Sequence, residues 1–392
     1  MMNVPFYSLD YVNRALGDAL RESFSDVLDS KWFIRGSRCA AFEEAFAAYC
    51  GKKACVGVGN GLDALTLMLK ASIQLGRLQP GDEVIVPSYT FVSSALAFVR
   101  QGARIVFADS CDNNPNIDAD KIENLITEKT KVIVPVHYAG VACNMDKIME
   151  IANRHNILVV EDAAQAIDSF YIRGGQNRPL GGIGHLGCFS FHETKNVTAG
   201  GEGGLLVIND ERFIRRAEII WEKGTNRAEF FRGMVNKYGW VDTGSSFLPS
   251  EINSAFMLAQ LEHLDEIQNR RKAIWEMYHE GLKDIAAKGF IQLPDMPEYA
   301  TNNAHMFYFV CRNLDERTKL LAYLKENGIL AVFHYLSLHL SEYYKNHSDS
   351  IPTLPHCDHF ADCLVRLPMF YELTKEEVST IINSIIMFYK SR

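Results

Sequence analysis

The feature that most constrains the fold is an alternation of short apolar runs with helical stretches between about residues 54 and 210. The apolar runs are ACVGVGN, DEVIVPS, ARIVFAD, KVIVPVHYAG and ILVVEDA, and stretches such as GLDALTLMLKAS and MDKIMEIANRHN separate them. Short apolar runs without strict alternation are typical of strands buried on both faces, as in a parallel sheet covered by helices. The sequence therefore predicts an open α/β domain with a mainly parallel sheet.

The pattern changes after GGLLVIND at 203–210. A basic and aromatic stretch, EKGTNRAEFFRGMVNKYGW, is followed by a helix that we predict at about 250–285. The remaining chain combines helices at 316–327 and 374–390 with the short strands AHMFYFVC and AVFHYL, which predicts a smaller α+β domain. Because a domain averages roughly 150 residues, we expect two: a large domain with an N-terminal arm at 1–249 and a small C-terminal domain at 250–392.

Composition excludes several classes of function. The 48 Asp and Glu residues outnumber the 40 Lys and Arg residues, so a net charge of −8 offers no basic field for nucleic acid. No stretch approaches the ~18 uncharged apolar residues of a membrane helix, and the N-terminus lacks a signal-peptide pattern, so we expect a cytoplasmic protein. The nine cysteines are scattered without a Cys-x-x-Cys pair, which indicates reduced thiols.

One short segment, His356-Cys-Asp-His359, has the composition of a metal site. Four adjacent residues cannot all face one ion without a special turn, and no second pair of ligands stands out in the sequence. We therefore predict an exposed loop at this segment and no metal site in the chain.

In an open parallel sheet, ligands bind beyond the carboxyl ends of the strands. One such place is the glycine-rich turn Gly57-Val-Gly-Asn-Gly-Leu-Asp63, which leads from a strand into a helix. Free backbone N–H groups and the positive end of the helix dipole could hold a phosphate there, although an ordinary tight connection explains the glycines as well. The spacing Gly-x-Gly-x-Gly, with no acid at the end of the next strand, disfavours a nicotinamide dinucleotide site.

Charged side chains follow two further strands. The run Val159-Val-Glu-Asp162 ends in two acids, which could cap the next helix, or Asp162 could bind a protonated ring nitrogen or a sugar hydroxyl. Lys195 stands in a turn between an apolar run and the glycines that end at Gly204. A lysine with a lowered pKa is an amine nucleophile, whereas most lysines are solvated charges, and the local sequence leaves both open.

The segment Pro87-Ser-Tyr-Thr-Phe91-Val-Ser-Ser94 also follows a strand, and it places a ring and several hydroxyls at the same edge. Phe91 could be plain core or a platform for a flat cofactor. The four segments together are stronger evidence for one site than each of them alone.

The order of these segments resembles the nucleotide-sugar aminotransferases of the DegT/DnrJ/EryC1/StrS family, which use pyridoxal 5′-phosphate. The matching motifs are the glycine-rich turn, PSYTF, VEDAAQ, SFHxxKN and GGEGG, and the resemblance extends from Trp32-Phe-Ile-Arg-Gly36 to Arg366-Leu-Pro368. It implies an aspartate-aminotransferase-like (fold type I) large domain that binds pyridoxal phosphate, with the smaller C-terminal domain beside it.

The resemblance also implies roles for individual residues. Lys195 would carry the cofactor as a Schiff base and then act as base and acid in the proton transfer. Asp162 would pair with the ring nitrogen, Gln165 would bond the ring hydroxyl, and Phe91 would stack on the ring. His192 could assist the proton transfer, although a structural histidine is the favoured interpretation.

For the cofactor phosphate, the resemblance implies the hydroxyl of Ser190 and the backbone N–H groups of Gly61 and Leu62. Many relatives have Thr or Ser where Leu62 stands, so one hydroxyl contact is expected to be lost. Many also have an Asn that reaches the phosphate from the neighbouring subunit. The matching stretch here is Gly244-Ser-Ser246, and Ser246 could substitute for that Asn.

The family is dimeric, which implies a homodimer in which the partner chain completes each site. Lys223 and Arg227, on the aromatic-rich stretch, could then bind the nucleotide pyrophosphate or the cofactor across the interface. His334 and Tyr335 are comparable candidates for binding the sugar.

Within the family, segments such as VIVPVHYAGVAC, GHLGCFSFHETKN and EKGTNRAEFFRG are similar to the transaminases that make dTDP-4-amino-4,6-dideoxyhexoses, the galactose isomer in particular. The implied reaction moves an amino group from glutamate to the C4 ketone of a dTDP-4-keto-6-deoxyhexose, in the synthesis of lipopolysaccharide O-antigen or another cell-surface polysaccharide. The alternatives are the gluco product at C4 (viosamine), a C3 nucleotide-sugar aminotransferase, and a non-catalytic cofactor-binding or regulatory protein.

Overall fold

The computed structural model describes residues 3–52 and 54–390. Its strands are β1 (Ala54–Val58), β2 (Glu83–Pro87), β3 (Arg104–Ala108), β4 (Thr130–Ile133), β5 (Leu158–Asp162), β6 (Phe170–Arg173), β7 (Gln176–Pro179), β8 (Leu186–Ser190), β9 (Gly204–Ile208), β10 (Ile291–Gln292), β11 (Tyr308–Cys311) and β12 (Leu364–Arg366).

Helices alternate with the strands along most of the chain. They are α1 (Asp10–Arg14), α2 (Gly17–Ser30), α3 (Ser37–Cys50), α4 (Gly61–Gln74), α5 (Ser93–Val99), α6 (Met145–His155), α7 (Ile214–Trp221), α8 (Arg227–Phe231), α9 (Glu251–Leu261), α10 (Leu264–Ala287), α11 (Leu314–Glu326), α12 (Glu342–His347), α13 (Pro355–Cys363) and α14 (Lys375–Lys390). None of the helices in the described ranges is both long enough and apolar enough to span a membrane.

The central sheet has seven strands in the order β1-β9-β8-β5-β4-β2-β3. The pairs β2–β3, β2–β4, β4–β5 and β5–β8 are parallel, whereas β9 is antiparallel to both of its neighbours. The predicted α/β class with a mainly parallel sheet is therefore confirmed. The parallel strands bring the segments that follow β2, β5 and β8 to one edge of the sheet.

Both faces of this sheet are buried, as the unbroken apolar runs predict. In β2, Val84 and Val86 pack on one face with helices α4, α5 and α7, and Ile85 packs on the other face with α3 and α6. All three side chains are fully buried. A strand that contacts helices on both sides has no polar face, which is why the sequence shows no alternation.

The small domain is built around a three-stranded antiparallel sheet, β10-β11-β12. Helices α10, α11 and α14 cover it, and its core contains the fully buried rings of Tyr278, Phe307 and Phe309. Only part of the predicted strand AHMFYFVC pairs, as β11. The segment AVFHYL forms no strand, because Val332 makes a single bridge to Arg366 and Tyr335 adopts a φ of 55°, which no strand accommodates.

Two segments pack across the boundary that the sequence suggests at 249/250. The helix predicted at about 250–285 is divided into α9 and α10, and α9 packs against α2 and α3 of the large domain. In the other direction, the backbone N–H of Val4 donates to Gly328 at 2.8 Å, beside α11. The division into 1–249 and 250–392 therefore stays a proposal.

The loop predicted at His356–His359 is wrong, because these residues lie within α13. Pro355 occupies the first turn, where its missing N–H costs nothing, and Cys357, Phe360 and Ala361 form a buried helical face. Buried residues at two, five and six positions after the first residue of the helix are the signal of an amphipathic helix, which the composition of the segment concealed.

One partly buried acid, Glu43, links α3 to β1. Glu43 accepts the backbone N–H of Gly57 through Oε1 at 2.8 Å. Burial raises the pKa of this carboxyl to about 7, although the bond from Gly57 and the positive charge of Arg35 oppose the rise. The folded chain therefore binds this proton more tightly than the unfolded chain does.

We predict that Glu43→Gln stabilises the fold at alkaline pH. A raised pKa means that the contribution of Glu43 is fully present below about 4.5 and is lost as the pH rises through about 7. The amide still accepts from Gly57 but cannot ionise, so the free energy of unfolding should rise by on the order of 2 kcal/mol at pH 8.5 and hardly at pH 5. Urea unfolding at both pH values tests this, with the exposed neighbour Glu44→Gln as the control; equal effects at the two pH values would contradict the prediction.

Candidate active site

A cavity of about 660 Å³ lies beyond the carboxyl ends of β2, β5 and β8. The loops that follow parallel strands meet at this edge, where open α/β sheets bind their ligands. The start of α4 and a segment of the small domain complete the wall. Of the residues predicted from the sequence, those that line the cavity are Gly61, Leu62, Phe91, Asp162, Gln165, Ser190, His192, Lys195, His334 and Tyr335.

The glycine-rich turn starts α4 directly at the cavity. Asn60 caps the helix, since its side-chain oxygen accepts the N–H of Asp63 at 2.8 Å. The first N–H groups of a helix have no partner within it, and the helix dipole makes this end positive. A Cβ added at Gly61 would lie 3.1 Å from the Cβ of Ser190, so glycine lets the end of β8 come this close. The turn and the Ser190 hydroxyl form a cradle that suits an anion such as phosphate.

Asp162 ends β5 and is only 5% exposed. Its Oδ2 accepts the hydroxyl of Ser94 at 2.7 Å, and its Oδ1 accepts the backbone N–H of Ala164 at 3.1 Å. The Cys188 thiol lies 3.7 Å from Oδ1. These donors hold the carboxylate in one orientation at the cavity wall, where it can bind a cation or a protonated nitrogen.

The preceding residue, Glu161, has a different role, and neither acid caps a helix. Its side chain is fully buried, and Nε2 of His137 lies 3.0 Å from its Oε2. Backbone N–H groups of Gly181 and Ile183 donate to the two oxygens at 2.8 and 2.6 Å. Burial alone raises the pKa of Glu161, but the contact with His137 and the backbone donors leave it below its usual value. Glu161 thus holds the turn between β7 and β8 against β5.

Lys195 lies in the turn after β8 and lines the cavity together with Asp162. Burial lowers the pKa of this amine to about 8, although the negative charge of Asp162 opposes the shift and the guanidinium of Arg366 adds to it. An amine with this pKa is substantially neutral near pH 8 and can add to a carbonyl carbon. The structure therefore favours the nucleophile over the solvated charge.

Gln165 connects the large domain to the small one at the cavity. Its Oε1 accepts the backbone N–H of Ala139 at 2.7 Å, and its Nε2 donates to the hydroxyl of Tyr335 at 3.0 Å. Both partners adopt left-handed backbone conformations, with φ of 56° at Ala139 and 55° at Tyr335. Because such conformations are disfavoured for residues other than glycine, the surrounding contacts must hold them in place.

These elements, namely an anion cradle, an amine with a lowered pKa and an oriented carboxylate, match a known family. The model of the DegT/DnrJ/EryC1/StrS aminotransferase family matches residues 15–386. The chain belongs to this family. The resemblance inferred from the motifs is thereby confirmed, and so is the interpretation of the protein as an aminotransferase.

Relatives in the family are similar over their full length. The chain is 33% identical to the dTDP-3-amino-3,6-dideoxy-alpha-D-galactopyranose transaminase of Aneurinibacillus thermoaerophilus, covering 97% of this chain and 98% of that protein. It is 31% identical to the dTDP-3-amino-3,4,6-trideoxy-alpha-D-glucose transaminase of Streptomyces venezuelae, covering 97% and 95%.

Solved structures of the family share the fold. The X-ray structure of S. venezuelae DesV in complex with a ketimine intermediate has a TM-score of 0.89 and 32% identity, covering all of both chains. The structure of NtdA from Bacillus subtilis with bound cofactor PMP has a TM-score of 0.88 and 25% identity, covering 100% of this chain and 86% of that one. The aspartate-aminotransferase-like architecture that the family resemblance implied is confirmed.

Two further family positions lie at the cavity mouth. Phe91 is 55% exposed, and its ring centroid lies 6.0 Å from that of Tyr335, so one face is free for a flat ligand. Nδ1 of His192 accepts the backbone N–H of Thr194 at 3.2 Å, which ties the imidazole to the loop of Lys195. The structural role of His192 is thus visible, and its position leaves a role in proton transfer open.

Three predicted residues do not line this cavity within the chain. Lys223 and Ser246 are exposed, and Arg227 donates to the buried carboxylate of Glu222 at 2.5 Å. All three lie on a surface with exposed aromatic side chains, outside the cavity that Lys195 occupies. The sequence analysis expects these three residues to contact a ligand in the neighbouring subunit, and the structure of a single chain does not test that expectation.

The sequence interpretation missed several residues that shape the site. The sequence places the hydroxyl of Ser94 at the sheet edge but does not indicate that it donates to Asp162. Asn60 carries a signal that could have been read, since Asn before a helical run is a preferred cap. Tyr89 and Tyr138 had no local signal, because their contacts with the segment around His334 join parts of the chain about 200 residues apart.

We predict unequal losses of stability when the two adjacent acids of β5 are replaced by their amides. In Glu161→Gln, either orientation of the amide points its NH₂ group at a backbone N–H, so the free energy of unfolding should fall by about 3 kcal/mol. In Asp162→Asn the oxygen can keep the bond from Ala164 while the Ser94 hydroxyl rotates to accept, so the loss should stay under about 1 kcal/mol. Thermal and urea unfolding measure both, and equal losses would refute the distinction.

Proposed function

We propose that this family member is a pyridoxal phosphate-dependent transaminase that converts a dTDP-4-keto-6-deoxyhexose to a dTDP-4-amino-4,6-dideoxyhexose, the galactose isomer, with glutamate as donor. The observation that carries the proposal is the cavity-lining amine of Lys195, with its lowered pKa, in the same cavity as the oriented carboxylate of Asp162 and the anion cradle. The names of relatives that act on dTDP-sugars support the substrate class. Similarity of segments such as VIVPVHYAGVAC supports C4.

The residues present fit pyridoxal phosphate. Glycine at position 61 lets Ser190 pack against the first turn of α4, so the Ser190 hydroxyl and the free N–H groups of that turn lie close enough to bind one phosphate. Leu62 offers a backbone N–H but no hydroxyl, so Ser190 and the helix dipole would hold the phosphate. The Nε2 of Gln165 keeps a second hydrogen for a ring hydroxyl, and the open face of Phe91 suits a flat ring.

When bound, pyridoxal phosphate supplies an electron sink for the carbon that loses its proton. Asp162, whose carboxylate is oriented by the hydroxyl of Ser94 and the N–H of Ala164, would hydrogen-bond the protonated ring nitrogen. Lys195 would bind the cofactor through its amine and, once released from it, would take up the proton and return it at the neighbouring position. A pKa of about 8 suits both directions of this transfer. His192 remains a candidate to assist it.

We also propose a homodimer in which the partner chain completes each site. Ser246 would then reach the phosphate, and Lys223 and Arg227 the pyrophosphate or the cofactor. The support is an exposed apolar surface that a single chain leaves in water, with Trp240 80% exposed. Its members are Trp32, Phe33, Ile34, Phe231, Met234, Tyr238, Trp240 and Val241.

The proposed setting is the cytoplasm, where the amino sugar would be made for a cell-surface polysaccharide such as O-antigen. All nine cysteines are free thiols in the structure, which suits a reducing compartment. His334 and Tyr335, which line the cavity from the small domain, are the proposed contacts for the sugar.

The second candidate function is transamination at C3 of the sugar. The named relatives from A. thermoaerophilus and S. venezuelae are both 3-amino sugar transaminases, and this similarity supports C3, whereas the resemblance of short segments supports C4. The viosamine product at C4 differs from the galactose isomer only in the face of the sugar that receives a proton, so an NMR spectrum of the product distinguishes the two.

We predict that Lys195 captures pyridoxal phosphate with a pH dependence set by its pKa. The rate at which the apoprotein develops a visible absorption band should rise with pH and level off above about 8, because the amine is then neutral. For an ordinary lysine the rise would continue to about 10.5. Lys195→Ala should give no band, and the exposed Lys288→Ala should behave as the native protein does. A band that survives in Lys195→Ala would remove the proposed role.

The regiochemistry is tested with the holoenzyme, glutamate and each of two substrates, a dTDP-4-keto-6-deoxyhexose and a dTDP-3-keto-6-deoxyhexose. We expect turnover of the 4-keto sugar only, and an NMR spectrum of the product in which the proton at C4 is equatorial, as in the galacto isomer. An axial proton would indicate viosamine. Turnover of the 3-keto sugar alone would refute the proposal in favour of the C3 reaction.

A further inference from the structure

Two buried tyrosines of the large domain hold His334 at the cavity. The hydroxyl of Tyr89 donates to the backbone oxygen of His334, and the hydroxyl of Tyr138 lies 2.7 Å from its Nδ1. Tyr89 and Tyr138 are 1% and 2% exposed, and neither lines the cavity. They therefore contact His334 from behind, on the side away from a ligand.

The backbone at this point leaves His334 little freedom. The next residue, Tyr335, adopts a left-handed conformation with a φ of 55°, and its hydroxyl is bonded to Gln165. The ring centroids of His334 and Tyr335 are 3.5 Å apart. The imidazole is thus fixed by its backbone, by the neighbouring ring and by Tyr138 at the same time.

The imidazole is held neutral. Burial lowers the pKa of His334 well below its usual value, and the positive charges of Arg366 and Lys195 lower it further. Burial likewise raises the pKa of Tyr138 well above its usual value, so its hydroxyl keeps the proton. A neutral imidazole has one N–H and one lone pair, and a partner at Nδ1 decides which nitrogen carries which.

Tyr138 has two neighbours that could accept its proton, Nδ1 of His334 and the hydroxyl of Tyr89. An imidazole nitrogen is a far stronger base than a phenol oxygen, so the proton of Tyr138 is directed to Nδ1. The single hydrogen of the imidazole is then on Nε2. Among the described residues Nε2 has no hydrogen-bond partner, although His334 lines the cavity.

We propose that Tyr138 is a positioning residue that fixes His334 as the Nε2–H tautomer, so that His334 donates a hydrogen bond to an oxygen of the sugar. This rests on the proposed function, since it assigns the sugar as the ligand of Nε2. An oxygen with lone pairs, either the keto oxygen or a ring hydroxyl, is the required chemistry. A cation would not bind at this position, because the Nε2–H group presents a partial positive charge to its ligand.

The tautomer is tested directly on the holoenzyme labelled with ¹⁵N-histidine. Long-range ¹H–¹⁵N spectra distinguish Nδ1–H from Nε2–H, and the signal of His334 is assigned by its loss in His334→Gln. We expect Nε2–H in the native protein and a mixture of tautomers in Tyr138→Phe. An Nδ1–H tautomer in the native protein, or an unchanged Nε2–H tautomer in Tyr138→Phe, would overturn the proposal.

Kinetics test the consequence for the sugar. Because the two half-reactions are separate, kcat/KM can be measured for the nucleotide sugar and for glutamate independently. In Tyr138→Phe we expect about a tenfold loss for the nucleotide sugar and none for glutamate. The matched control is Tyr308→Phe. Tyr308 is also buried, and its ring lies edge-on to that of Tyr138 with 5.7 Å between the two ring centroids. It makes no hydrogen bond to His334 among the described residues. Equal losses for both substrates would indicate a general structural effect and overturn the proposal.

The two proposals fail in different ways. If the holoenzyme transfers no amino group to any keto sugar, the proposed function fails, whereas the tautomer of His334 is still measured by NMR. If transamination proceeds but the tautomer is Nδ1–H, only the role of Tyr138 fails. His334→Gln, whose amide N–H stands near the position of Nε2–H, should keep more activity than His334→Ala, and the reverse order would also count against it.

Discussion

Two consecutive carboxylates at the end of β5, the middle strand of the large sheet, hold the site in place. Glu161 points away from the cavity and binds the turn before β8 through backbone N–H groups. Asp162 points into it and is oriented by Ser94. Because β8 carries Ser190 and leads to Lys195, the position of β8 against β5 sets the distance between the acid and the amine. Two adjacent residues can have these separate roles because successive side chains of a strand point to opposite faces of the sheet.

The same burial that stabilises the large domain produces its chemistry. Lys195 has a lowered pKa because apolar surroundings disfavour its charged form, and Asp162 limits the shift. The small domain contributes the other wall through His334 and Tyr335, which hydrogen bonds from Tyr138 and Gln165 join to the large domain. The cavity is therefore complete only when both parts of the chain are folded together.

The residues at strand ends were predictable because position and chemistry coincide in a short segment. Lys195, Asp162, Gln165 and Ser190 each stand in a motif of a few residues, and the sheet topology brings these motifs together. Failures occurred where long-range contacts override local preference. The segment AVFHYL has strand-like composition, yet after Val332 it leaves the sheet to reach Tyr89 and Tyr138.

By itself the sequence determined the fold class, the family and the residues at the floor of the cavity, because periodicity and motif spacing act over short stretches of chain. Only the tertiary structure decided the different roles of Glu161 and Asp162 and the arrangement around His334. Each depends on partners far away in the chain, and a hydrogen bond or a desolvated charge is defined by those partners in space. A local pattern carries no information about them.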